Sequence, residues 1–295
     1  MTLKTRENID WLFKLVFRAA GLLTIGLLAG IFIMLLYNSF AFFAAIKPLD
    51  FFTGSQWDPD SEESKYSIAP LLVSTGLVTL GSMLFAVPIG ILTAAFLSEL
   101  APRKVKTILK PLIEMLAAIP SVAIGFLGIV LVGPAIAKVF GIQNGLNALN
   151  GSLLLAVMAL PTIITISEDA INAVPQSHRE ASIALGANRW ETLFKVVLPA
   201  SYPGLIAAVM LGLGRALGET MTVLMATGNA AILPKGFLDA VRTITATIAI
   251  EMGEVPYRTT HYFALFAIAV VLFLITLAIN LLGEYFANRL RKFQA

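Results

Sequence analysis

Apolar residues gather into six long runs along the chain, at about 17–45, 69–98, 112–139, 151–174, 200–227 and 262–285, parted by short polar segments. A helix needs about 20 mostly apolar residues to cross a hydrocarbon core about 30 Å thick, and each run meets that length. The pattern predicts an all-α integral membrane protein with six transmembrane helices, filling residues 1–295 as one domain without a linker or low-complexity tract. The first run exceeds the roughly 7–15 residues of a secretory h-region, so an uncleaved span is expected there.

The polar segments differ in character. Residues 47–67 carry Asp50, Asp58, Asp60, Glu62 and Glu63 among turn formers and read as a solvated spacer. Residues 228–261 are long, and Leu238, Val241, Ile244, Thr245 and Ile248 are spaced for one helical face over about 238–252. Asp239, Arg242 and Glu251 make that stretch too polar to span, so a helix lying at the membrane surface or dipping in is expected.

Composition agrees with this class: 58% hydrophobic and 13% charged residues, with a mean hydropathy of +0.85. No cysteine is present, which removes disulfide and thiolate-metal chemistry. The net charge of +3 is explained by topology rather than by a nucleic-acid surface. One set of span ends holds Lys4, Arg6, Lys14, Arg18, Arg103, Lys104, Lys106, Lys110, Arg179, Arg189, Lys195, Arg289, Arg291 and Lys292; the other holds only Lys47, Lys65, Lys138, Lys235, Arg242 and Arg258. Basic residues favour the cytoplasmic side, so both termini are expected there, with Ser61 and Asn147 outside.

Arg215 remains within the fifth run, four residues before Glu219. An ionisable side chain at bilayer depth costs about 3 kcal/mol or more and marks a functional candidate. On one continuous helix the two would share a face and pair, while Gly214 and Gly218 would form a ridge for close helix approach. A guanidinium fork matches two oxygens of an oxyanion, with Thr220, Ser121 and backbone donors completing the site; a purely structural ion pair is the competing reading. Pro120 interrupts the third run and frees backbone groups beside Ser121. His178 and His261 fall at opposite membrane sides, and no nucleophile–base constellation is visible, so catalysis by this chain is not expected.

Between the fourth and fifth runs lies EASIALGANRWETLFKVVLP, with Glu180, Ala181, Gly186, Leu198 and Pro199 at fixed spacing. This resembles the coupling loop of ATP-binding-cassette importer permeases; Ser182 and Val196 depart from the usual Ala and Ile. Gly186 suits a turn with positive φ, and Arg179, Glu180, Arg189 and Glu191 give the loop a charged exterior. Further motifs are Arg-Ala-Leu-Gly-Glu-Thr-Met from Arg215, Ala226-Thr-Gly-Asn, Thr247 to Glu254, and Glu114-Met-Leu-Ala-Ala-Ile-Pro-Ser. Together they resemble the C-type permease of phosphate-specific importers.

The resemblance implies a type I ABC-importer (MetI-like) fold in a bacterial or archaeal cell membrane. It also implies an A-type phosphate permease as heterodimer partner, two ATP-binding subunits on the cytoplasmic side holding ATP–Mg, and an extracytoplasmic phosphate-binding protein. No cofactor on this chain is implied. A permease for another oxyanion, or an ion-coupled secondary carrier using Glu219, remains as the alternative; the carrier would not need the coupling loop.

Overall fold

The computed structural model describes residues 3–294, with side chains for Trp11 and for residues 13–289; Met1, Thr2, Ala295 and the basic side chains of Lys4, Arg6, Arg291 and Lys292 lie outside that set. Helix α1 (Leu3–Ala45) leads through α2 (Pro48–Thr53) and a two-stranded antiparallel hairpin, β1 (Trp57–Asp58) and β2 (Lys65–Tyr66), into α3 (Ala69–Ala95). Then follow α4 (Arg103–Ala117), α5 (Ser121–Leu127), α6 (Gly133–Phe140) and α7 (Ala148–Asn172). The second half comprises α8 (Gln176–Ala184), α9 (Arg189–Thr192), α10 (Leu198–Gly218), α11 (Met221–Ala226), α12 (Ile244–Glu251) and α13 (Thr260–Gln294).

Among the described residues six helical segments are long and apolar enough to cross a membrane: Phe13–Ala45, Ala69–Leu100, Ser121–Phe140, Ala148–Asn172, Arg189–Gly218 and Thr260–Arg289. Each falls on an expected run, with departures at the third and fifth, the fifth already helical from Arg189 rather than from about 200. The third segment starts at Ser121, not near residue 112, because Pro120 breaks the chain and the residues before it form the separate amphipathic helix α4. The fifth ends at Gly218, and the polypeptide resumes as the short α11. Only Ile244–Glu251 of the stretch expected around 238–252 is helical.

Helices α3, α7 and α10 pack as the centre of the bundle. Fully buried Ile163 of α7 seats between Gly90 of α3 and Gly212 of α10; a Cβ at either glycine would approach it to 2.6 Å. Small residues replace the hydrophobic effect as the means of bringing spans together, since lipid is as apolar as leucine. Within this chain the expected Gly214/Gly218 ridge is not used this way: a Cβ at Gly218 would meet nothing within 4 Å, and one at Gly214 only Asn280 Oδ1, at 3.7 Å.

Residues 47–67 are not a bare spacer. Phe51 and Trp57 are buried with Phe42, Ile68, Ile244 and Leu265, and Phe42 meets Phe51 edge-on at 5.3 Å. The carboxylates of this lobe stay solvated while the aromatics between them form its core, which accounts for the misleading polarity. Burial, reinforced by Asp60 and Glu251, holds the Tyr66 phenol above its ordinary pKa. Asn147 is fully buried, its side chain capping α7 by accepting from the Asn150 amide at 3.0 Å, so a cysteine there would be shielded.

Glu168 of α7 is 1% exposed and faces Lys106 at 2.8 Å and Lys110 at 3.3 Å, both on α4. Removing the lysines strands a buried charge, which costs about 3–5 kcal/mol in protein interiors, whereas removing the carboxylate leaves two half-exposed ammonium groups that water reaches. In thermal unfolding of the purified protein, Lys106→Met/Lys110→Met is expected to lower the midpoint clearly more than Glu168→Gln. Equal losses would contradict this account of the pair. For topology, the cysteine-free chain allows single reporters: a cysteine at exposed Glu63 is expected to label from outside intact cells and one at exposed Arg189 is not. Labelling at Arg189 from outside would reverse the orientation.

Candidate functional site

Two span breaks lie side by side. In the first, Pro120 lacks an amide hydrogen and pushes Ile119 out of the helical region, so α4 tightens and stops: Ala118 N–H donates to Met115 O at 3.0 Å and Ile119 N–H to Leu116 O at 3.4 Å. Helix α5 restarts as Ala123 N–H donates to Pro120 O at 2.9 Å. In the second, Gly218 ends α10 and Glu219 is extended, with φ −69° and ψ 133°. The Thr222 hydroxyl donates to Ser121 O at 3.0 Å and joins the breaks.

The extended Glu219 overturns the expected i,i+4 pair. Its Oε1 accepts from the Thr222 amide at 3.3 Å, so the carboxylate caps the start of α11 instead of holding Arg215. Among the described residues Arg215 has no hydrogen-bond or ion-pair partner. It is exposed in the last turn of α10, on a strip with exposed Leu211 and Gly218. A cation there complements the exposed carbonyls of the helix C-terminus. Ser121, Glu219 and Thr220 are half-buried beside it in the chain's break region. The arrangement thus offers one uncompensated guanidinium next to two interrupted helices, chemistry that suits transient contact with an anion.

The second cluster sits at the opposite end of the bundle, where the chain turns from α7 into α10. Helix α8 ends in a Schellman turn: Ala187 N–H donates to Ser182 O at 3.2 Å and Gly186 N–H to Ile183 O at 2.9 Å, with Gly186 at φ +89°. Asn188 then starts α9 with a capping box, accepting from Glu191 N–H at 2.9 Å while the Glu191 carboxylate accepts from Asn188 N–H at 3.0 Å. The departure at Ser182 has a local reason, since its buried hydroxyl bonds that of Thr192 at 3.0 Å and ties α8 to α9. Glu180 and Ala181 are exposed, and Leu198 and Pro199 are half-buried at the start of α10.

Arg179 is not exterior, as its sequence neighbourhood implied. It is half-buried, with Nε 3.0 Å and Nη2 2.6 Å from Glu99 Oε1 at the end of the second span, and it donates to Ile171 O at 2.9 Å and to Val174 O. Its partner lies 80 residues away, so no local signal marked it. Apolar Ile183, Leu185, Trp190 and Phe194 project outward around this anchored hairpin, Leu185 with 90% exposure.

A Cβ at Gly186 would meet nothing within 4 Å, so substitution acts through φ alone. Holding a residue with a Cβ in the left-handed region costs about 1–2 kcal/mol, most for β-branched residues, and asparagine tolerates it best. Gly186→Val is expected to speed hydrogen exchange of the Ala187 amide about 10-fold and Gly186→Asn to leave it near wild type. Equal exchange in both variants would contradict the turn assignment.

Residues 86–292 match the family described as binding-protein-dependent transport system inner membrane component. A probable ABC transporter permease protein, YqgH, of Bacillus subtilis (strain 168) is 40% identical over 244 residues, covering 83% of this chain and 79% of the relative. The phosphate transport system permease protein PstC of Mesorhizobium japonicum is 32% identical over 300 residues, covering 95% and 90%. A chain from a bacterial ABC transporter involved in import of the acidic polysaccharide alginate shares the fold, with a TM-score of 0.64 at 16% identity over 97% of this chain and 98% of that one. Six apolar spans, an anchored hairpin between the fourth and fifth, and a match over most of its length establish that this chain belongs to the inner-membrane permease family of binding-protein-dependent transport systems.

Proposed function

We propose that this chain is one membrane subunit of an ATP-driven phosphate importer, and that Arg215 contacts the anion on its way through. The observation that carries the reading is the unpaired, exposed Arg215 at a span break in a chain whose relative over 95% of its length is named a phosphate permease. An exposed guanidinium at bilayer depth needs either water or an anion facing it. A pathway between this chain and a second, similar permease supplies both, with Ser121, Glu219 and Thr220 at its edge.

The hairpin from Glu180 to Pro199 would seat in one of two ATP-binding subunits, with Leu185 and Trp190 as apolar anchors. Arg179 would pass motion of that hairpin to the second and fourth spans through Glu99 and the end of α7. ATP–Mg would be held by those subunits, with no cofactor on this chain. Both termini and the hairpin would face the cytoplasm, and an extracytoplasmic phosphate-binding protein would deliver substrate to the opposite end. Glu219 takes the role of a helix-capping carboxylate that an arriving anion would repel from Arg215's neighbourhood.

The test is ATP-dependent phosphate uptake by the assembled complex in liposomes. A charge-assisted pair is worth about 2 kcal/mol, so Arg215→Gln is expected to lower uptake about 30-fold or more. Arg215→Lys, which keeps charge but loses the fork, should retain part of it. Glu219→Gln is expected to do less damage than Arg215→Gln. Undiminished uptake in Arg215→Gln, or recovery in an Arg215→Met/Glu219→Leu double variant, would refute the anion contact; uptake of sulfate in place of phosphate would reassign the substrate.

A further inference from the structure

The break at Glu219 leaves a backbone carbonyl without a helical partner, and that carbonyl is not left to chance. Thr245 of α12 donates its hydroxyl to Glu219 O at 2.8 Å. A hydroxyl has one proton, so the 3.1 Å contact between the Thr245 and Thr243 hydroxyls must be donated by Thr243. Thr243 can give that proton because its oxygen meanwhile accepts the Ala246 amide at 3.3 Å as the helix cap. The chain of hydroxyls therefore has a fixed direction ending on Glu219.

The other end of α12 is equally tied. Glu251 accepts from the Trp57 indole at 3.0 and 3.1 Å and from Arg242 at 3.0 Å, and its Oε2 lies 2.8 Å from His261 Nε2 at the start of α13. Trp57 belongs to the hairpin lobe, and its amide also donates to Ala231 O at 3.2 Å. At the same end as Thr245, the Ile244 amide donates to the Thr75 hydroxyl of α3 at 3.0 Å. Eight residues of helix, about 12 Å long, thus link the hairpin lobe to the break.

We propose that α12 is a strut and Thr245 a positioning residue: through its bond to the Glu219 carbonyl, Thr245 sets the angle between α10 and α11 and makes that angle follow the hairpin lobe. This deepens the reading of the break as the phosphate path and rests on it for its consequence in transport. A displacement of the lobe by a docked partner would move Glu251, then α12, then the Glu219 carbonyl, and with it the carboxylate that caps α11 four residues from Arg215. The link requires hydrogen bonds at both ends, not only packing in between.

The test uses the assembled complex and a cysteine at Met221, an exposed residue beginning α11, in the otherwise cysteine-free chain. Its labelling rate with a small water-soluble maleimide reports the break without requiring any substrate. Thr245→Val, which keeps shape and removes the hydroxyl, is expected to change that rate at least about five-fold and to lower phosphate moved per ATP hydrolysed. Thr245→Ser should restore both. Trp57→Phe, which removes the donor to Glu251 at the far end, should shift the rate in the same direction as Thr245→Val and serves if that variant fails to assemble. Parental labelling in Thr245→Val or Trp57→Phe, or an equal shift in Thr245→Val and Thr245→Ser, would overturn the strut. Labelling that responds as expected while uptake ignores Arg215 would leave the strut standing and remove the phosphate-site reading instead.

Discussion

Hydrocarbon offers no hydrogen bonds, so every interruption of a membrane helix must be satisfied by protein or by water. This constraint organises the molecule. The interruptions at Pro120 and at Glu219 are placed beside one another; the Thr245 hydroxyl takes up the Glu219 carbonyl that the break releases, and the Thr222 hydroxyl ties the two breaks together through Ser121 O. At the π-helical turn Gly128–Val132, Gly128 O accepts from the Gly133 amide and also from the Asn150 side-chain amide, at 3.0 Å. Irregular backbone at this depth is held by side chains of neighbouring elements, as at both breaks.

The same constraint sorts the charges. Glu168 is buried and takes two lysines; Glu251 is half-buried and takes an indole, a guanidinium and an imidazole. Arg179 spends its donors on Glu99 and two carbonyls. Among the described residues Arg215 has no such partner, and it sits on an exposed strip. Glu168, Glu251 and Arg179 are each held by partners and Arg215 is not, which is the contrast behind the proposed anion contact.

Much of the fold was legible because span length is a pattern along the chain that needs no tertiary knowledge. Pro120 announced its own break. The break after Gly218 did not, since Arg215, Gly218 and Glu219 fit an unbroken helix equally well in sequence; the bond from Thr245 that holds the extended Glu219 comes from 26 residues away. The hairpin turn was legible at Gly186, whose φ of +89° is the reason a glycine stands there. Arg179 and the aromatic core of the 47–67 lobe were hidden for one reason: their partners lie far along the chain, and local polarity suggested solvent.

The central claim is that Arg215 meets a phosphate at the interface of two permeases. A structure of the assembled transporter trapped with phosphate tests it most directly. The account predicts an anion within hydrogen-bonding distance of the Arg215 guanidinium, beside the paired breaks and between the two membrane subunits. An Arg215 that instead faces acyl chains, or is held by a carboxylate of the second permease while phosphate passes elsewhere, would contradict it.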